Sequence, residues 1–365
     1  MKKGRRNISL IVTVIFLIPV LVILGFLFVL TVIDKKLPLY EVIEIKKKVA
    51  PEVSIKNELT ILTWNIGYGG LGKEMDFFYE GGTRVRPEKE ELIRYMAGIN
   101  QFLGAQDSTD FIFVQEADFN SKRSYFQDEV TAISDVLDSY CYAVARNYDS
   151  RFVPFPITEP MGRVTSGIVT FSRYRPVQAE RKGFGTNFSW PKQLFFLQRC
   201  FLVFRFNLGN GKELVLINTH NSTFDKGGEL RKKELAKLQS FMIQEYKKGN
   251  YVVAGGDWNN NPPGFLKKTI LTGDQVKQIY PPINSTYLSG WKFAFDPTLP
   301  TNRNVDSPYR KGKTKTTIID FFVISPNIEL VSAKTFETGF KYSDHQPVQI
   351  KIRMNQSRCA RQDEE

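Results

Sequence analysis

From Ile8 to Ile33 the chain runs without a single charge, broken only by Ser9, Thr13, Pro19, Gly25 and Thr31. A bilayer core holds no water to satisfy a peptide N–H or C=O, so a run of this kind has one stable form there, a helix with every backbone bond internal. At 1.5 Å per residue it would be roughly 39 Å long, enough to cross a hydrocarbon core of about 30 Å. We therefore expect a membrane anchor over 8–33, behind a basic leader, 1–7, that carries Lys2, Lys3, Arg5 and Arg6.

The same leader also suits a secretory signal peptide. Against that reading, no alanine occurs before Ala50 and no cysteine before Cys141, so neither a small-x-small cleavage site nor a lipid-attachment cysteine follows the run. The expectation is an uncleaved single-pass anchor in the cell membrane. The leader favours a cytoplasmic N-terminus and an extracytoplasmic main domain, a bias diluted by Lys35, Lys36, Lys46, Lys47 and Lys48 on the other side. Residues 34–57 mix charge with Pro38 and Pro51 and read as a juxtamembrane stalk.

Beyond the stalk, short apolar runs alternate with longer amphipathic ones. Leu59–Trp64, Phe111–Gln115, Tyr140–Ala145, Gly167–Phe171, Cys200–Phe206, Leu214–Thr219, Tyr251–Gly255, Ile318–Ile324 and Val348–Ile352 have the length and composition of strands. Pro87–Leu103 and Glu229–Lys248 read as helices, the first opened by proline and acids, the second stopped by Gly249. With 42% hydrophobic residues the chain can bury a sizeable core. The expectation is one α/β domain over 58–352 and a polar tail, 353–365. Three cysteines without metal-type spacing argue neither for a zinc site nor for a disulfide framework. The net charge of +12, four units of it in the leader, favours phosphate-bearing partners without choosing among nucleic acid, anionic lipid and small molecules.

Polar residues cap the apolar strands. Asn65 follows Trp64, Glu116 follows Gln115, His220 follows Thr219, and Asp257 with Asn259 follows Gly256. A polar residue after a strand often only satisfies a turn. Four together point to one convergent site, because strand ends in layered α/β folds hold side chains rigidly while leaving them open to a ligand. Only two histidines occur, His220 and His345, each beside amides or carboxylates, which suits proton transfer near neutral pH.

At these residues the chain resembles the endonuclease/exonuclease/phosphatase superfamily. The motifs occur in order: Trp64-Asn65, Gln115-Glu116, Asn218-Thr219-His220, Gly256-Asp257-Trp258-Asn259, Ile319-Asp320-Phe321-Phe322-Val323-Ile324-Ser325 and Ser343-Asp344-His345-Gln346-Pro347-Val348. Trp258 stands for the usual Phe, Phe321 for Tyr and Asn221 for Leu, and none of these removes a functional atom. The resemblance implies a four-layer α/β sandwich of two packed mixed sheets flanked by helices, with the site at one end. It also implies metal-dependent hydrolysis of a phosphate ester.

In that chemistry Asn65, Glu116 and Asp344 would hold Mg²⁺, with Mn²⁺ as a substitute, since oxygen donors suit a hard cation that keeps several waters. His345 would be general base or phosphate-facing cation, oriented by Asp320, in the Asp-His arrangement. Asp257 and Asn259 would position water and a phosphate oxygen, and His220 would donate to an oxygen of the ester. Arg303 and Arg163 are candidate phosphate clamps, because a guanidinium grips two oxygens at once. The aromatic segment from Phe184 to Phe196, with Lys192, suits base stacking, a membrane interface or packing between sheets. Three functions follow as alternatives: a membrane-tethered nuclease acting on nucleic acid, a sphingomyelinase-like or inositol-phosphate-like phosphoesterase near phospholipid, and a non-catalytic phosphate-binding module. The charge leans to the nuclease.

Overall fold

The computed structural model describes residues 2–34, 36–47, 55–185, 188–223, 227–265 and 280–355. Strands and helices are numbered in chain order. One sheet holds six strands in the order β14 (Ile328–Thr335), β15 (Val348–Met354), β2 (Glu58–Asn65), β3 (Phe111–Asp118), β5 (Gly162–Ser172) and β4 (Cys141–Val153). The other holds seven, in the order β1 (Tyr40–Val42), β6 (Gln178–Gly183), β7 (Cys200–Asn207), β8 (Glu213–His220), β9 (Tyr251–Asp257), β13 (Asp320–Ile324) and β10 (Lys292–Ala294). Both are mixed, with β2–β3 and β8–β9 parallel. The short β11 (Asn302–Arg303) and β12 (Thr316–Thr317) pair with each other.

The sheets pack face to face over Ile61, Phe113, Phe204, Val253, Phe322 and Ile350, among others, all withdrawn from solvent. Their outer faces are apolar too. Trp64, Ile112 and Val114 pack under α2 (Lys89–Gly104) and α3 (Glu129–Val136), while Ile217, Val252 and Val323 pack under α4 (Glu229–Lys247) through Leu238 and Met242. Strands apolar on both faces are what a buried central layer requires, and they explain why these segments read as continuous apolar runs. Helix α2 begins with a capping box in which the Glu88 N–H donates to the Glu91 carboxylate at 2.9 Å.

Two boundaries differ from the sequence reading. Within the segment expected as a stalk, Tyr40–Val42 adds an edge strand to β6, the Ile43 N–H donates to the Ala179 carbonyl, and Lys46 bridges to Tyr142. Backbone pairing, not side-chain burial, holds it, since all three β1 side chains are exposed. At the other end, β15 runs on through Arg353 and Met354, the latter packed into the intersheet core. The rest of the expected tail, 356–365, and stalk residues 48–54 lie outside the described residues.

Helix α1 covers Lys2–Ile33. Its Val12–Ile33 portion, 22 residues, has the length and apolar composition of a membrane span or of a signal sequence.

Candidate active site

The C-terminal ends of β2, β3, β8 and β9 and the first residue of β13 meet at one end of the sandwich. Register brings them together: His220 and Asp320 both lie opposite Asp257 on its two neighbouring strands. The close approach of β8 and β9 there depends on Gly256, where a Cβ would stand 2.0 Å from the Thr219 carbonyl oxygen. Buried amides tie the sheets just beneath. Gln115 Nε2 donates to Asn218 Oδ1 at 2.7 Å, and Asn218 Nδ2 donates to the Val169 carbonyl at 2.9 Å. Thus Gln115 and Asn218 are fasteners between sheets, which places Glu116 and His220 above them.

Asn65 Nδ2 donates to Asp257 Oδ2 at 3.0 Å and to Glu116 Oε1 at 3.3 Å. His220 Nε2 lies 3.4 Å from Asp257 Oδ2 and 3.6 Å from Glu116 Oε1, and its Nδ1 has no partner among the described residues. Burial, helped by Arg199, pushes the His220 imidazole well below its ordinary pKa, which keeps the ring neutral. Asn259 N–H donates to Asp257 Oδ1 at 2.9 Å, and its Nδ2 to the Asn221 carbonyl at 2.8 Å.

His345 Nδ1 meets Asp320 Oδ2 at 2.8 Å, its Nε2 meets Asn302 Nδ2 at 3.0 Å, and Nε2 lies 3.9 Å from both Asp257 and Asp344. Burial opposes protonation of this ring, but Asp320 and Asp344 outweigh it and raise its pKa well above the ordinary value. Trp64 Nε1 fixes the His345 carbonyl at 3.0 Å, and the Ser343 hydroxyl donates to the Asn65 carbonyl at 2.8 Å, so the last motif is clamped to the end of β2. Asp257 and Asp344, buried among other acids, are both pushed up to about 7, chiefly by burial.

The backbone is bent to reach these positions. Glu116 takes φ +56 at an irregularity in the β3–β5 pairing, and Asn259 takes φ +48. Left-handed backbone at non-glycine residues costs on the order of 1 kcal/mol or more and clusters at functional sites. Here it turns both side chains toward the cleft that they line.

Asp257, Asp320 and His345 offer ligand atoms within 4.8 Å of one another. That compactness comes from the Asp320–His345 hydrogen bond, which already occupies Nδ1. The carboxylates of Glu116 and Asp344 also line the cleft, and oxygen donors of this kind are what a hard divalent cation accepts. Glu116 keeps a quarter of its side chain exposed, and Asp344 is a buried acid whose one cationic partner at contact distance among the described residues is His345. Asn65 uses its Oδ1 to accept from the Gly67 N–H at 3.0 Å, so presenting that oxygen to a cation requires a turn of the amide.

The two arginines singled out from sequence do not face this cleft. Arg303 is buried, and its guanidinium donates to the carbonyls of Leu71, Gly72, Met75, Asn304 and Ser307. It fastens a loop, and correcting its assignment as a phosphate clamp follows from that occupancy. Arg163 is absent from the cleft lining, and its Nε has no partner. Two other arginines line the cleft: Arg123, which is paired with Asp118, and Arg199, which is buried and whose Nη1 has no partner among the described residues. Sequence gave no signal for it, since it only precedes the β7 run. Asn302, which meets His345, carries no motif of its own in the sequence. Alternation along β11 sends Asn302 to His345 and Arg303 away from it.

The family model for the Endonuclease/Exonuclease/phosphatase family matches residues 62–345, and the chain belongs to that family. Members hydrolyse phosphoester bonds and typically depend on a divalent metal. No curated protein matches the chain. Among solved structures, an endonuclease/exonuclease/phosphatase from Beutenbergia cavernae DSM 12333 is similar over 82% of this chain and 72% of its own, at 18% identity and TM-score 0.54. One from Bacteroides vulgatus is similar over 82% and 100%, at 16% identity and TM-score 0.50. TDP2 from Caenorhabditis elegans is similar over 81% and 74%, at 13% identity and TM-score 0.50. At these identities the likeness is one of fold.

Proposed function

We propose that this chain is a membrane-anchored, divalent-metal-dependent phosphodiesterase, with α1 as an uncleaved anchor, the domain beyond 34 on the extracytoplasmic side, and Mg²⁺ held by Asn65, Glu116 and Asp344. The observation that carries the reading is the meeting of Glu116, His220, Asp257, Asp344 and His345 in one cleft that also holds the buried Arg199. A bound divalent cation supplies Lewis-acid stabilisation of phosphoryl charge and acidifies water.

The chain's own residues do the rest. Asp257, held by Asn65 and the Asn259 N–H, accepts a proton from the attacking water as its oxygen bonds to phosphorus. The ester P–O bond breaks, and the departing oxygen leaves as an alcohol after taking a proton from solvent. Neutral His220 donates from Nε2 to an oxygen of the ester. His345, charged and steadied by Asp320, faces the phosphoryl group with Arg199, and together they offset its growing negative charge.

A nuclease is the reading that net charge favours. The cations lining the cleft suit a single phosphoryl group better than a tracked polyanion, since Arg123 is bound through Nε and Nη2 to the two oxygens of Asp118 and Arg199 is buried. The test is hydrolysis of bis(p-nitrophenyl) phosphate and plasmid DNA by the purified full chain, with and without Mg²⁺, alongside thermal melting. Mg²⁺ should support turnover and raise the melting temperature, and Glu116→Gln should lose both effects. His345→Ala and Asp257→Ala should cut the rate by about 10²–10⁴ while staying folded. Metal-independent turnover, or none on any diester, would overturn the reading.

A further inference from the structure

One wall of the cleft is also the seat of α1. Phe195 and Phe196 line the cleft, and with Leu194 they pack against Leu27 and Leu30 of the helix. Phe26 meets Phe152 edge to face at 6.0 Å, and Trp190 donates from Nε1 to the Thr31 hydroxyl at 3.0 Å. The wall is fixed from the cleft side as well. Tyr148, which lines the cleft, donates to the Phe195 carbonyl at 2.7 Å, and Ser150 donates to the Leu194 carbonyl at 2.9 Å.

All these helix contacts lie within about 10 Å of the end of the apolar span at Ile33. In a bilayer that α1 crosses, this is the depth of the headgroups and upper acyl chains. A domain wall that touches the helix there occupies the same layer. Its composition agrees. Phe155, three residues beyond Phe152, is 47% exposed, Ile157 82% and Trp190 52%. Large apolar side chains clustered in the open mark an interaction surface, and tryptophan settles at headgroup level. Lys192 lies 3.8 Å from the Phe188 ring centre and 4.7 Å from that of Phe196, a cation among aromatics that suits lipid phosphate.

We infer that the 152–157 loop and the 190–196 segment form a membrane-docking rim that seats the mouth of the cleft in the headgroup layer. The enzyme then draws its phosphodiester from a lipid of the bilayer in which it is anchored. This rests on the phosphodiesterase and anchor readings above. A lipid offers its headgroup phosphate at that height without leaving the bilayer, whereas a long polyanion must reach the mouth through a layer of phosphates of its own sign.

The test uses the full chain reconstituted in vesicles of phosphatidylcholine, phosphatidylglycerol and sphingomyelin. In brominated phosphatidylcholine, bromines high on the acyl chain should quench tryptophan fluorescence more than deep ones, and Trp190→Phe should remove most of that quenching, because of the other three tryptophans Trp64 and Trp258 are fully buried and Trp291 packs on Tyr246 of α4 beside β10, at the sheet edge opposite β1. Phe155→Ser combined with Ile157→Ser, neither of which lines the cleft, should lower headgroup release from the vesicles at least tenfold and leave bis(p-nitrophenyl) phosphate hydrolysis within twofold. An unquenched Trp190, equal loss on both substrates, or cleavage of plasmid DNA without any lipid hydrolysis would overturn the inference. Failure to hydrolyse the soluble diester would instead refute the phosphodiesterase reading, and Trp190 quenching would then decide the rim by itself.

Discussion

Asn65 and Asp257 come from different sheets and lie 192 residues apart, yet the amide of one donates to the carboxylate of the other at 3.0 Å. This bond closes the open end of the sandwich and fixes the oxygen that also faces His220 and His345. Asn65→Ala and Asp257→Ala should each lower phosphodiester hydrolysis by about 10²–10⁴. Because they act as a unit, the double variant should lose far less than the product of the two losses. Steady-state rates of the four proteins measure the coupling, and strictly multiplicative losses would show that the bond is incidental.

Asp320 has one task visible in its geometry. Its Oδ2 receives His345 Nδ1 at 2.8 Å, while Oδ1 is buried without a partner. Asp320→Asn keeps the shape but removes the negative charge that steadies the charged ring, so the rate should fall by about 10²–10⁴ with the fold intact. The downfield Nδ1 proton of His345 in the NMR spectrum should disappear in the same variant. Its persistence alongside normal turnover would remove Asp320 from the reaction.

Much of this arrangement was legible in the chain because the physics that formed it is local. Apolar runs buried on both faces read directly as strands, and their capping residues Asn65, Glu116, His220 and Asp257 meet because parallel register aligns strand ends. Strand β6 was not legible. Its sequence QAERKG carries three charges, two of them buried with partners: Arg181 donates to the carbonyls of Arg146, Gln198 and Pro38, and Glu180 receives Arg205 at 3.1 Å. Hydrophobic periodicity cannot see such a strand. For the same reason sequence could not tell Arg199, which lines the cleft, from Arg303, which is enclosed by carbonyls. Both are single arginines beside an apolar run or loop, and only the chain's long-range path decides what surrounds each.

Arg303 therefore carries a prediction about stability. Its guanidinium satisfies five carbonyls of the 71–75 and 304–307 segments. Removing it leaves buried acceptors unpaired, so Arg303→Met should cost about 3–5 kcal/mol. Arg303→Lys should recover only part of this, since one ammonium cannot reach all five. Calorimetry gives the melting shift. A raised KM at unchanged melting temperature would restore the phosphate-clamp role instead.

Away from the cleft, Glu245 of α4 sets an acid limit on the fold. Arg205 on β7 donates to both its oxygens, at 3.0 and 2.9 Å, and Asn250 and Lys248 each add a bond at 2.9 Å. Burial works against ionisation here, but these donors outweigh it and hold the carboxyl down at about 2, against an ordinary value of 4.5. A carboxyl depressed in the folded state contributes stability that is full above the unfolded pKa and is lost as pH falls through the folded one. The window is thus from 4.5 down to about 2. Glu245→Gln should lower stability by about 1.5–3 kcal/mol at pH 7, the range for hydrogen bonds to charged groups. The difference from wild type should shrink across that window and be small at its lower end, where the folded carboxyl is half protonated. Urea melts of the two proteins between pH 7 and pH 2 measure this, and a constant difference over the whole range would mean that the ion pair is not its source.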